Sequence, residues 1–140
     1  MQLWIIYALL SAMFAALVAI FGKIGIQGID STLATTVRAV IMALFLVVIS
    51  IALNKGSLFT TIHSKTLLFI VLSGIAGALS WLFYFVALKQ GPVTGVAALD
   101  RLSVVFVLVF ATLFLAEKLT IKSGIGAILL TIGAILMSIK

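Results

Sequence analysis

Residues 93–116 read "VTGVAALDRLSVVFVLVFATLFLA", an apolar run that contains one acid and one base side by side, Asp100 and Arg101. A bilayer-spanning helix needs about 20 mostly apolar residues, so the run is long enough to cross a membrane. A charged side chain at the centre of such a helix is unfavourable by roughly 2.5–3.5 kcal/mol on translocon scales. Charges retained there usually face a bundle interior or water. This stretch therefore predicts a membrane helix whose two charged residues face the protein interior or a hydrated cavity.

The composition of the whole chain also predicts an integral membrane protein. Of its 140 residues, 65% are hydrophobic and 9% are charged, and the mean hydropathy is +1.47. Soluble domains average about 45–50% apolar and roughly 25% charged residues. The net charge of +6 does not indicate a nucleic-acid partner, because the basic residues stand singly at the ends of apolar runs, where they flank membrane helices.

Four further runs have helical length, so we predict an all-α protein with one five-helix transmembrane domain over residues 1–140. The first run stops at Gly22-Lys23 and is expected to be a retained helix. Asp30 or Ser31 is expected to cap the second. The loops are too short for another domain, and a multi-pass protein of a prokaryotic cell (inner) membrane is expected. The predicted helices cover approximately residues 3–22, 32–53, 66–88, 93–116 and 121–139.

Small residues recur along the last predicted helix, where Gly126, Ala127 and Gly133 are the candidate packing positions. Helices in lipid associate where small side chains let their backbones approach closely. A substrate path is the alternative interpretation of these positions.

Hydroxyl and aromatic residues mark a second kind of surface, suited to a partly apolar, hydrated cavity. Ser11 and Phe14 of the first helix and Ser80, Trp81 and Tyr84 of the third are the candidates. Aromatic residues near helix ends more often anchor a helix at the membrane surface, which is the alternative for Tyr84.

Three charged residues lie well inside predicted spans, away from the span ends: Arg38, Asp100 and Arg101. Arg38 and Asp100 lie at similar depths, roughly 9–11 Å from the starts of helices that enter from the same side, so they can pair. Arg101 points about 100° away from Asp100 and is free for an anionic substrate group or can reach the surface. We predict substrate or proton contacts at all three, and the alternative is a structural ion network.

The sequence offers no catalytic residues, no metal ligands and no cofactor-binding motif, so we predict that the protein is not an enzyme. It has no cysteine, one histidine (His63) and three acids, and these form no nucleophile–base or metal-ligand spacing. The glycines at 124 and 126 follow no strand and lack the dinucleotide-binding spacing.

Three stretches together resemble the EamA family of the drug/metabolite transporter superfamily. They are "FGKIGIQGID" (21–30), "FYFVALKQGPVTGVAAL" (83–99) and "LFLAEKLTIKSGIGAILLTIGAILM" (113–137), the last with Glu117 closing an apolar helix before a basic linker and a glycine-spaced helix. The resemblance covers nearly the whole chain as one five-helix repeat, whereas most members carry two.

The resemblance implies transport of small metabolites, amino acids or drugs. Related small multidrug resistance proteins export cations with a buried Glu in their first helix, but residues 8–19 here contain no acid. We therefore expect a small secondary transporter or facilitator, built from two copies that rock around a central site. The alternative is a lipid-handling or assembly protein that does not transport.

The basic residues are balanced between the two sides of the membrane. With five helices, Lys55, Lys65, Lys118 and Lys122 fall on the side of the first residue, against Lys23, Lys89 and Lys140 opposite, with Arg38 and Arg101 displaced toward the latter. An excess of Lys and Arg on the cytoplasmic side sets orientation. Without a clear excess, we predict insertion in both orientations and an antiparallel homodimer.

Overall fold

The computed structural model describes residues 3–139, apart from the side chains at 59 and 60. Within that range there are six α-helices, one 3-10 helix and no strand. Five segments are long and apolar enough to cross a membrane, since α4 and α5 together form one span, Val93–Phe114. The predicted all-α, five-span architecture is confirmed. The elements are α1 (Leu3–Gly25), α2 (Ser31–Ala52), the 3-10 helix (Gly56–Thr61), α3 (Ser64–Gln90), α4 (Val93–Asp100), α5 (Ser103–Phe114) and α6 (Ile121–Ser138).

The ends of α2 are fixed by local side-chain and backbone chemistry. The Asp30 carboxylate accepts the backbone N–H of Thr32 at 2.9 Å and of Leu33 at 3.0 Å, so Asp30 is the N-cap. The bond from Leu33 is the main reason that the pKa of Asp30 lies below its ordinary value. At the other end, Asn54 adopts φ 53° and the Lys55 N–H donates to the Ser50 carbonyl at 2.9 Å, which closes the helix in a Schellman turn.

The fourth span differs from the uninterrupted helix predicted over 93–116. The α-helix ends at Asp100, and the N–H groups of Arg101 and Leu102 bond three residues back, to Ala98 at 3.2 Å and Leu99 at 2.9 Å. These are 3-10 contacts, which tighten the chain before α5 begins at Ser103. The break had no sequence marker, because neither glycine nor proline occurs there. The span also ends at Phe114, two residues early.

The first helix runs to Gly25, three residues beyond the predicted stop at Gly22. The Ile26 N–H still bonds to the Gly22 carbonyl at 3.0 Å, so Gly22 does not interrupt the helix. Its missing side chain serves packing instead, since a Cβ there would lie 3.3 Å from the Phe85 ring.

The chain divides into two compact units, one formed by Met1–Phe21 with Gln90–Lys140 and the other by Gly22–Lys89, which we call the cavity unit. In the first, which we call the packed unit, α6 packs against α4 and α5. Gly95 is buried there, and a Cβ on it would lie 3.4 Å from the Ser138 backbone. The prediction of one domain over residues 1–140 stays a prediction.

In the cavity unit, the segment that links α1 to α2 is held against the end of α3. Ile26 and Leu88 are almost completely buried. The Lys23 ammonium donates to the Leu88 carbonyl, and the Lys89 ammonium donates to the Ile29 carbonyl at 2.8 Å. These contacts join the start of α2 to the end of α3, so the two helices run antiparallel from that point.

Candidate functional site

A cavity of about 830 Å³ lies along α2 and α3, entirely within the cavity unit. It extends from Thr32 to Leu46 on α2, which is roughly 21 Å at 1.5 Å per residue. Its volume falls in the range of small-molecule sites, about 300–1,000 Å³. The lining residues are Thr32, Thr35, Thr36, Arg38, Ala39, Met42, Ala43 and Leu46 of α2, and Gly74, Ile75, Gly77, Ala78, Leu79, Trp81 and Leu82 of α3.

Arg38 is held in this cavity by aromatic rings of α3. Its Cζ atom lies 3.6 Å from the centroid of the Trp81 ring and 5.6 Å from that of Phe85. Tyr84 meets Trp81 edge-on, with 5.4 Å between ring centroids. A cation over an aromatic face is stabilised by the ring quadrupole, about 0.5–2 kcal/mol depending on desolvation. The rings therefore give a half-buried charge a fixed position inside a membrane span.

The cavity is polar at one end and apolar at the other. The hydroxyl of Thr35 donates to the Ser31 carbonyl at 2.8 Å, and that of Thr36 donates to the Thr32 carbonyl at 2.9 Å. Because each hydroxyl hydrogen is committed to the backbone, the two oxygens present lone pairs. Past Arg38, Met42 and Leu46 continue the α2 wall with apolar groups.

The structure brings two of the predicted site residues together on this cavity, Arg38 and Trp81. Tyr84 contacts the Trp81 ring without lining the cavity, and Ser80 is exposed on α3 and is not part of the lining. The predicted cavity roles of Tyr84 and Ser80 stay predictions.

The remaining candidates belong to the packed unit. Ser11 and Phe14 are exposed on α1, and Asp100 and Arg101 are exposed at the junction between α4 and α5. Since Arg38 and Asp100 belong to different units, their pairing stays a prediction.

The three positions predicted for helix packing lie along α6. Ala127 and Gly133 are half-buried and Gly126 is exposed. A Cβ added at either glycine would meet no other described atom within 4 Å. Their packing role also stays a prediction.

The family model described as the EamA-like transporter family matches residues 2–139. The chain belongs to this family. It is also 43% identical over 138 residues to a Sinorhizobium sp protein named "Uncharacterized transporter in cobO 3'region", with 99% of this chain and 98% of that protein covered. No solved structure matches the chain. The predicted family is confirmed, and the chain is a multi-pass membrane protein of a transporter family.

Apart from Arg38, sequence reasoning missed the residues of α2 that line the cavity in this EamA-like chain. Thr32, Thr35, Thr36 and Ala39 recur at the spacing of one helix face, and so do Gly74, Gly77, Ala78 and Trp81 on α3. On α3, sequence reasoning recognised Trp81 but not Gly74 and Ala78 as part of the observed face. The available sequence signal for the cavity was the presence of two such faces, one on each helix.

The arrangement is suited to recognition. One guanidinium, two hydroxyl acceptors and an apolar wall can orient a small molecule. Among residues 3–139, no group of three or more His, Cys, Asp or Glu side chains could hold a metal ion.

Proposed function

We propose that this EamA-like chain is a small secondary transporter or facilitator that moves a small metabolite, amino acid or drug-like molecule by alternating access as an antiparallel homodimer. The observation that carries the proposal is the cavity along two membrane-spanning helices, with a positioned charge and an apolar wall. Membrane spans tolerate such a charge where it meets a cavity, a substrate or a partner group.

Two features support a second copy. Much of each span remains exposed; on α2, Ile41, Phe45 and Val48 are each more than 60% exposed, so the helix has apolar area for lipid or for another subunit. Transporters of this kind commonly pair two inverted repeats about an axis in the membrane plane, and this chain supplies one repeat. The near-balance of basic residues between the two sides favours pairing of oppositely inserted copies.

The charged residues receive roles in this proposal. Arg38 contacts the substrate in the cavity, and Asp100 and Arg101 serve as substrate or proton contacts at the 3-10 junction of the fourth span. A 3-10 stretch inside a helix is often a hinge, so the same junction can bend when the transporter changes its open side. We further propose a prokaryotic cell (inner) membrane as its location, since the Sinorhizobium relative is bacterial.

The direct test of transport is a flux screen with purified protein in liposomes, using anionic, cationic, zwitterionic and neutral small molecules. We expect saturable uptake of at least one class, absent from protein-free liposomes and reduced in Gly77→Leu, which places a large side chain in the cavity. Uptake of none of the classes, with lipid movement between leaflets instead, would favour the lipid-handling alternative.

The test of orientation is a pair of reporters fused at Lys140, one active only on the cytoplasmic side of the membrane and the other active only on the opposite side. We expect activity from both reporters and a sharp shift in their ratio when a Lys cluster is added to one loop. A single fixed orientation in the native chain would rule out the antiparallel dimer.

A further inference from the structure

The cavity carries a positive charge that its own lining does not balance. Arg38 is the charged side chain in the lining, and no Asp or Glu side chain is among the lining residues that the structure describes. In the cavity unit the acid is Asp30, whose carboxylate caps α2 by accepting from Thr32 and Leu33. An anion entering the cavity would therefore meet attraction without a competing carboxylate on its walls.

The stacking of Arg38 leaves its hydrogen-bonding edge available. The guanidinium lies over the Trp81 ring with 3.6 Å between Cζ and the ring centroid, which occupies its flat face. The five N–H donors of a guanidinium point outward in its plane and match a carboxylate in a two-bond contact. Across the residues that the structure describes, none accepts a hydrogen bond from this guanidinium, so a ligand can use the fork.

The neighbouring groups limit how much negative charge the site can hold. The Thr35 and Thr36 hydroxyls donate to backbone carbonyls, so neither hydroxyl hydrogen is left to bind further acceptor oxygens of a ligand. A phosphate monoester carries more acceptor oxygens and close to two charges, and it would need additional donors. A group with one charge and two oxygens fits the single fork.

The rest of the lining determines the other part of the ligand. Met42, Ala43 and Leu46 on α2, with Ile75 and Leu79 on α3, give an apolar wall that extends away from Arg38. Apolar walls with few polar groups bind the hydrophobic body of a ligand, and the polar groups fix its orientation.

We propose that the cavity selects organic monoanions: a single carboxylate at Arg38, attached to an apolar body that lies along the wall toward Leu46. This substrate class rests on the transport function proposed above. Arg38 provides both the charge and the geometry, and Trp81 holds it in place. A cation of the same shape is excluded by Arg38, and a neutral analogue loses the two-bond contact.

The binding test uses Trp4→Phe protein, in which Trp81 is the remaining tryptophan and its emission reports on the cavity. In detergent, benzoate is compared with benzyl alcohol, benzylammonium and phenyl phosphate, which share the ring and differ in charge. We expect benzoate to bind at least tenfold more tightly than the other three. Preference for benzylammonium or phenyl phosphate would overturn the proposal, and this comparison requires no substitution at Arg38.

Substitutions then test whether Arg38 supplies the charge that binds benzoate. Arg38→Gln should weaken benzoate binding by roughly ten- to hundredfold, the loss expected for a hydrogen-bonded charge. Arg38→Lys should keep part of the affinity, since the charge remains without the fork. Lys65→Gln removes one positive charge from the same unit outside the lining, and it should bind benzoate as the parent does. Equal weakening in Lys65→Gln would show a general charge effect and contradict the assignment to Arg38.

The same four probes, tested for flux into liposomes, separate this inference from the proposed function. Benzoate binding that depends on Arg38, without transport of any probe, would refute transport and leave the ligand class intact. Saturable uptake of benzylammonium but not of benzoate would support transport and refute the ligand class. Octanoate supplied in water is compared with oleate supplied in the bilayer. The comparison distinguishes a water-soluble acid from a lipid acid as the source of the same carboxylate.

Discussion

The two compact units use helix pairs in opposite ways. In the packed unit, Gly95 of α4 lies so close to the end of α6 that a Cβ would stand 3.4 Å from the Ser138 Cα atom. In the cavity unit, a Cβ on Gly77 of α3 would meet no atom within 4 Å, and a cavity of about 830 Å³ lies beside it. The same residue type therefore permits close helix contact in one unit and leaves space for a ligand in the other.

The units also accommodate membrane charges differently. Arg38 sits in an unbroken α2 and is covered by the rings of Trp81 and Phe85. Asp100 and Arg101 are exposed where the α-helix gives way to 3-10 turns. A charge can thus be held by side-chain stacking or placed at a backbone break, and only the first arrangement fixes its position.

The largest expected effect is on stability, from a leucine introduced at Gly95. The side chain would collide with the Pro92 ring and with the α6 backbone, neither of which yields easily. We expect Gly95→Leu to lower the free energy of unfolding in detergent by about 3 kcal/mol, the upper end of the usual range for overpacking. Gly124→Leu in α6 is the control, since a Cβ there meets no atom within 4 Å. Equal loss in both variants would mean that the close contact at Gly95 is not what stabilises this unit.

The same substitution at Gly77 should affect binding and spare the fold. Glycine is less favourable than alanine in a helix by about 0.8–1.0 kcal/mol and leucine ranks next to alanine, so stability should be kept or slightly raised. The leucine occupies the cavity, and benzoate affinity should fall by about tenfold or more, equivalent to at least about 1.4 kcal/mol. A protein that binds benzoate normally with Gly77→Leu would show that the cavity is not the binding site.

The backbone break should be visible in hydrogen exchange. Amides of residues 101–104, which include the i→i−3 bonds of the junction, should exchange about tenfold faster in nanodiscs than those of 107–111 in α5, since 3-10 bonds have poorer geometry. Amides around Arg38 in α2 should be protected like those of α5. Uniform protection along 97–111 would argue that the fourth span behaves as one rigid helix.

The smallest expected effect concerns acid sensitivity, which should belong to the start of α2. Hydrogen bonds from Leu33 and Thr32 lower the pKa of Asp30 from its ordinary value of 3.8. A lowered pKa stabilises the folded state above pH 3.8, and this contribution is lost as the pH falls through the folded pKa. A carboxyl NMR titration should therefore give a midpoint below 3.8, and Asp30→Asn should remove the pH dependence while keeping a cap.

Thr120 provides the matched case for the start of α6, because its capping box with Ser123 uses neutral hydroxyls. The amides that open α6 should show no change over the same acid range. A midpoint for Asp30 at or above 3.8, or an equal acid response at α6, would contradict this difference.

The sequence by itself determined the class of protein, the number of spans and the family, because apolar length and the family motifs are local along the chain. The N-cap at Asp30 or Ser31 was predictable for the same reason, and the structure identifies Asp30. Arg38 and Trp81 were recognised singly, since charge and aromatic character are visible in any sequence.

Only the tertiary structure decided how these residues combine. Arg38 and Trp81 are 43 residues apart in the sequence (81 − 38), and their stacking depends on the register between α2 and α3, which no local pattern specifies. Thr32, Thr35 and Thr36 are recognisable as cavity-lining residues only in the structure, where Gly74 and Gly77 of α3 line the same cavity. The break after Asp100 was equally hidden, because it exchanges one set of backbone hydrogen bonds for another without a glycine or proline to mark it.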